Sequence, residues 1–147
     1  MEKIKGMITA LVSAFFSFFG LLAVPILLLV LSNLVDYITG LMATANRKEQ
    51  ISSYKSIKGI FKKVAMYLLI IVGFMIDVLI GYTISSLGIS FEFPQIVACV
   101  VAVWLVCNEI ISILENMIDM NAKIPPFLLP IVNKIKESME NSINKGE

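Results

Sequence analysis

Residues 6–35 read GMITALVSAFFSFFGLLAVPILLLVLSNLV, a stretch without one charged side chain. As a helix rising 1.5 Å per residue it would be about 45 Å long, against a bilayer hydrocarbon core of about 30 Å. Gly20 and Pro25 interrupt it, and a proline inside a membrane helix removes one backbone hydrogen bond and tends to bend it. Two readings stay open. One tilted, kinked helix fills the bilayer, or residues 4–20 lie in the interface ahead of a span that begins at Leu21. A secretory leader fits poorly, although Lys3 and Lys5 precede the run and Ala43-Thr44-Ala45 has the small-x-small form of a cleavage site. The apolar run far exceeds the 7–15 residues of a leader, and Asp36 separates it from that site, so the segment is expected to stay uncleaved.

The rest of the chain agrees with this beginning. Its 147 residues are 58% hydrophobic and 16% charged, with a mean hydropathy of +0.88, where soluble domains run at roughly 45–50% apolar and about 25% charged. A chain this short must expose about half its residues, and the surplus of apolar ones needs a non-aqueous medium to face. Residues 64–87 and 95–118 each approach the ~20 residues that a spanning helix needs, with only a short turn over 88–94 between them. After Pro125-Pro126 and Pro130, the residues Ile131, Ile135, Met139 and Ile143 recur every four among Lys134, Lys136, Glu137 and Glu140, the spacing of an amphipathic helix. A solvated tail helix is preferred there over a specific docking site. The fold expected is an all-α integral membrane protein of three transmembrane helices, the first long and broken near Gly20 to Pro25, plus a C-terminal amphipathic helix. One domain would cover 1–147: a first hydrophobic segment over 4–40, a basic loop over 46–63, spans at 64–87 and 95–118, and a tail over 124–147.

Charge distribution sets the orientation. The net charge is only +1, which predicts no nucleic-acid partner. Between the first two spans, however, Arg47, Lys48, Lys55, Lys58, Lys62 and Lys63 face a single Glu49, while the turn after the second span carries only Glu92. The positive-inside rule puts residues 46–63 and the tail in the cytoplasm. The N-terminus is then outside if all three segments cross, and can be inside if residues 4–20 do not.

The chain has no histidine, so the commonest general base and the commonest zinc ligand are both missing. Catalytic triads and zinc hydrolase motifs are excluded, no nucleophile–base pair can be assembled, and neither enzymatic activity nor a metal or other cofactor is expected. Cys99 and Cys107 sit in apolar sequence and read as small inert hydrophobes rather than a disulfide.

Polar residues inside the spans are the candidates for function. Asp77 lies near the middle of the second span, where an ionisable group costs ~3 kcal/mol or far more unless it is neutral, paired or wet. Gly73, Asp77, Gly81 and Ser85 recur every four residues as a small and polar stripe of the kind that packs against protein. In the third span Asn108, Glu109, Ser112, Glu115 and Asn116 fall on one side of a helix, a strip that is either buried or wet. In the first segment Gly6, Thr9, Ala10, Ser13, Ala14 and Ser17 oppose Phe15, Phe16, Phe18 and Phe19. The plain account is packing within one monomer, with Lys62 or Lys63 reaching toward Asp36; it serves less well for Asp77 and Glu109, which have no basic partner within their own spans. Three helices enclose no lumen, so a water-lined path would need several copies.

These residues carry a resemblance. Asp36-x-x-Thr39-Gly40, then Ser52-Ser53 and Lys58-Gly59-x-x-Lys62-Lys63, Asp77, and Asn108-Glu109-x-x-Ser112-x-x-Glu115-Asn116 ahead of Pro125 together resemble the toxin-secretion/phage-lysis holin family, which includes clostridial toxin-export holins. The likeness covers roughly residues 30–140. It implies a small cytoplasmic-membrane protein, without enzymatic activity or cofactor, that homo-oligomerises in the lipid bilayer into large non-selective lesions through which an endolysin or a large protein toxin passes. It supplies no agreed pore-lining residues, so the polar strips are the candidates. The rival from another class is an ion-coupled channel or transporter subunit using Asp77 and Glu109; a third reading is an antiholin-type membrane regulator.

Overall fold

A computed structural model describes residues 1–48, 53–91 and 94–144. Glu49, Ser52 and Glu92 of the sequence reading lie outside the described residues, as do the side chains of Ser53, Lys55, Met139 and Ile143. Among the described residues the chain is helical, without strands: α1 (Glu2–Phe19), a single 3-10 turn (Gly20–Leu22), α2 (Ala23–Asn46), α3 (Ser53–Ser86), α4 (Ile96–Asp119) and α5 (Leu128–Asn144). Three stretches are long and apolar enough to cross a bilayer, 2–46, 57–86 and 96–119, and α5 follows as a C-terminal helix.

The first hydrophobic stretch breaks at Gly20, not at the proline. Gly20 has φ +52° and ψ −122°, a backbone conformation essentially confined to glycine. Pro25 instead occupies the first turn of α2, where its missing N–H has no intrahelical partner to lose. Of the two interruptions named in the sequence, the glycine makes the break and the proline, five residues later, fits the helix that follows. α1 has no buried residue and packs mainly on the 3-10 turn and the start of α2.

The stretch read as a basic loop is largely helix. α3 begins at Ser53, so Lys58, Gly59, Lys62 and Lys63 lie on its first turns, and its 34 residues extend about 51 Å. It ends in a Schellman motif, with Gly88 at φ +75°, the Ile89 amide on the Ile84 carbonyl and the Gly88 amide on that of Ser85. α4 ends the same way around Asn121, with the Ala122 amide on Met117 and the Asn121 amide on Ile118.

α4 is the central helix, packed against α2, α3 and α5. The core joins Leu22 and Leu29 of the first stretch, Met66 and Ile70 of α3, and Ala98, Ala102, Leu105 and Val106 of α4. Apolar side chains gain little from leaving lipid for protein, so membrane helices associate by close backbone approach at small residues. Ala23, Ala43, Ala98 and Ala102 are fully buried. A Cβ on Gly73 would stand 3.0 Å from Ala98 Cα and 3.2 Å from its N, so this glycine sets the closeness of α3 and α4. Gly73→Leu should lower unfolding stability in detergent by about 1–3 kcal/mol through overpacking, followed by helical circular dichroism. Gly6→Leu, where nothing lies within 4 Å of an added Cβ, should be near neutral, and equal effects at the two sites would contradict this packing.

Candidate functional site

Three helices converge on one ammonium. Lys63 stands where α3 turns apolar, and its Nζ donates to Asn33 Oδ1 at 3.0 Å, Asp36 Oδ2 at 2.9 Å and Glu109 Oε2 at 2.6 Å. An ammonium has three donors and no acceptor, so this set is complete. Asn33 and Asp36 are three apart on α2 and share a face. Asn33 Nδ2 donates to the Tyr67 hydroxyl at 2.9 Å, one turn beyond Lys63. Asn116, two turns beyond Glu109, donates to Asp36 Oδ1 and Thr39 Oγ1, both at 3.2 Å. Gly40 completes the layer, because a Cβ there would lie 3.6 Å from Asn116 Nδ2. Glu109 is 2% exposed and Asn33 7%, so charge-assisted hydrogen bonds rather than water hold these groups.

Asp77 forms a second polar layer. Its Oδ1 accepts from the Val97 amide and its Oδ2 from the Ala98 amide, each at 2.9 Å, and it is 4% exposed. The first amides of a helix lack intrahelical partners, and Gln95 at the cap position of α4 supplies no side-chain bond. An acid on the neighbouring helix satisfies two of them and complements the positive end of the helix dipole. Asp77 and Gly73 thus meet the first turn of α4, whereas half-buried Gly81 and exposed Ser85 lie farther along α3, beyond the start of α4. From Asp77 to Lys63 is fourteen residues of α3, so the two polar layers are about 20 Å apart.

The five-residue strip of the third span is divided between two sides of α4. Glu109 and Asn116 enter the Lys63 layer. Asn108, Ser112 and Glu115 line an open groove of about 620 Å³ between α3 and α4, together with Lys62 and Trp104. Lys58 and Lys62 are exposed, and Gly59 has open space around it, so neither they nor Gly59 join the buried layer. Beyond that layer, Asn46 Nδ2 donates to the Asp119 carbonyl at 2.9 Å and the Arg47 guanidinium pairs with the Asp119 carboxylate, which ties the ends of α2 and α4. Among the described residues no cluster of acids and cysteines could hold a metal ion, and both cysteines are free.

Sequence reasoning named Asp36, Thr39, Gly40, Lys63, Glu109 and Asn116 and offered Lys62 or Lys63 as reaching toward Asp36, a contact that Lys63 makes; it did not bring Glu109 and Asn116 to that pair, and it missed Asn33 and Tyr67. A signal existed for both: Asn33 is the only amide side chain in residues 6–35 and lies one turn from Asp36, and Tyr67 lies one turn from Lys63.

Removing one member of a buried ion pair leaves an uncompensated charge, typically at a cost of ~3–5 kcal/mol. Lys63→Met should lower stability by that order, and adding Glu109→Gln should recover part of the loss, as measured by a double-mutant cycle on detergent unfolding. Strict additivity would show the two groups to be uncoupled. Asp77→Leu should insert normally and cost about 1–3 kcal/mol by orphaning buried amides. Faster hydrogen exchange confined to the first turn of α4 would identify that cause, and unchanged exchange there would refute it.

Comparison with known proteins places this architecture. The family model of the bacteriophage holin family matches residues 13–137. The uncharacterized protein Lmo0128 of Listeria monocytogenes is 31% identical over 115 residues, covering 78% of this chain and 73% of that protein. An uncharacterized 14.9 kDa protein in the nagH 3' region of Clostridium perfringens is 28% identical over 145 residues, 99% of this chain and 96% of its own. No solved structure matches the chain.

Proposed function

Because the chain belongs to the bacteriophage holin family and is a multi-pass membrane protein, we propose that it homo-oligomerises in the bacterial cytoplasmic membrane and opens large non-selective lesions. An endolysin or a large protein toxin would pass through them. The observation that supports this reading is the groove of Asn108, Ser112 and Glu115. These polar side chains stand on the flank of a spanning helix, over an apolar floor that includes Met66, Leu69 and Leu105, and the chain's own polar layer leaves them open. One copy encloses no lumen, and a folded protein is tens of Å across even when compact, so the opening must be ringed by many copies. Each copy turns this strip inward. The exposed small face of α1, with Gly6, Ala10, Ser13 and Ser17, is suited to close approach between copies.

The ion-coupled alternative draws less support, since Glu109 is engaged by Lys63 and Asp77 by two backbone amides. In the proposed orientation the basic end of α3 faces the cytoplasm, where each Lys or Arg near an anionic surface contributes about 1 kcal/mol. A cysteine at exposed Lys58 should therefore resist impermeant labelling from outside intact cells, and labelling there would reverse the topology.

Reconstituted vesicles should release protein-sized dextrans, and cells should release a cytoplasmic reporter once the wall is degraded. Escape of small ions alone at full expression would replace the lesion by a channel. Delay of another holin's lysis without any leakage would replace it by a regulator.

A further inference from the structure

Another cavity lies away from the groove, between the first hydrophobic stretch and α3. It is a crevice of about 390 Å³, floored by buried Leu22 and Ile70 and rimmed by exposed Phe18 and Phe74. Tyr67, whose hydroxyl accepts from Asn33 in the Lys63 layer, bounds it toward the basic end, and Gln95 bounds it at the level of Asp77. The crevice therefore lies at the depth of the hydrocarbon core. Gln95 Oε1 is buried and accepts no hydrogen bond among the described residues. It lies against the break, since a Cβ on Gly20 would stand 3.8 Å from it. The backbone donors around it are engaged elsewhere: the Gly20 amide donates to the Phe16 carbonyl, the Ile96 amide to that of Pro94, and the Val97 and Ala98 amides to Asp77. An unpaired buried carbonyl is costly, and hydrocarbon holds no water to make up the loss.

We propose that this crevice binds a membrane-dissolved molecule built of an apolar body and one hydroxyl, an alkanol or alkylphenol, with the hydroxyl on the Gln95 carboxamide and the body on the floor of Leu22 and Ile70 between Phe18 and Phe74. The volume is more than twice the roughly 150 Å³ that holds one benzene, which leaves room for on the order of a dozen heavy atoms. Apolar and aromatic walls with one placed polar group are the usual form of a small-molecule site between helices. A hydroxyl both donates and accepts, and the terminal torsion of a glutamine is soft, so either face of the carboxamide is served. The orphaned acceptor also decides against other occupants. A phospholipid chain suits the walls but brings no donor to this depth. A lone water needs about two to four polar partners, and this end of the crevice offers it the carboxamide alone. Bound there, the molecule joins the chain on both sides of the Gly20 break to α3, at residues separate from those of the groove between α3 and α4.

The test reconstitutes the full chain in phosphatidylcholine vesicles, irradiates it with a diazirine derivative of octanol, and locates the adducts by mass spectrometry. Adducts should concentrate in residues 18–26 and 67–74 and be suppressed by excess decanol. Decane at equal membrane concentration should compete about fivefold less well, the worth of one hydrogen bond. Gln95→Met should erase that difference between the competitors while adducts at 67–74 persist. Equal competition by decane and decanol on the unaltered chain, or adducts spread evenly along the lipid-facing flanks, would overturn the proposal. So would labelling of 67–74 by a phospholipid with the diazirine in its acyl chain that decanol fails to displace, which would give the crevice to lipid. Adducts that appear only when the protein is diluted in the membrane would give it to a second copy and overturn the proposal equally. None of these readouts depends on whether lesions form.

Discussion

The Lys63 ammonium is the constraint on which the packing of α2, α3 and α4 depends. Inside a bilayer, apolar surfaces gain little by exchanging lipid for one another, so hydrophobicity inserts the helices without fixing their relative heights. Three acceptors from two other helices within 3.0 Å of one Nζ do fix them. Sliding any one of the three helices by a turn, about 5.4 Å, would break its bonds to both of the others in this layer and leave buried charge short of partners. The close contacts follow from that register: Gly73 against Ala98, and Gly40 beside Asn116.

The register also sets how tall the packed bundle is. With Lys63 at the headgroup boundary, the Asp77 layer lies about 20 Å into a hydrocarbon core of about 30 Å. α4 starts at that layer, and the break before α2 is at the same level, since a Cβ on Gly20 would lie 3.8 Å from Gln95 Oε1. α3 continues past it by nine residues to Ser86. This explains an acid at such depth: amides opening a helix where water is scarce need an acceptor supplied by protein.

How much of this was legible follows from the range of each interaction. The three spans and the amphipathic tail could be read because hydropathy and helical periodicity are local. The resemblance was placed from about residue 30, and the family match reaches back to residue 13, because composition in an apolar run carries little information to a reader of one sequence. The partner of Glu109 was missed because Lys63 is 46 positions away and was counted with a loop, whose charges gave the orientation signal but concealed a helix that starts at Ser53. The break was read near Gly20 to Pro25 without a choice between the two, because a proline bends a helix from its interior but fits its first turn. Only the backbone angle at Gly20 decides between them.

The division of the α4 strip bears most directly on the proposed lesion. Neighbours in a helix point 100° apart, so Asn108 and Glu109, adjacent in sequence, serve different surfaces. Glu109 and Asn116 are committed to holding one copy together, and using them to line a water path would require the Lys63 layer to come apart, at the cost of a broken buried ion pair in every copy. Asn108, Ser112 and Glu115 carry no such cost, because their groove is already open. A lesion assembled from intact copies can therefore turn this face toward water, and Lys62, which lines the same groove as Glu115, adds a positive charge to that path.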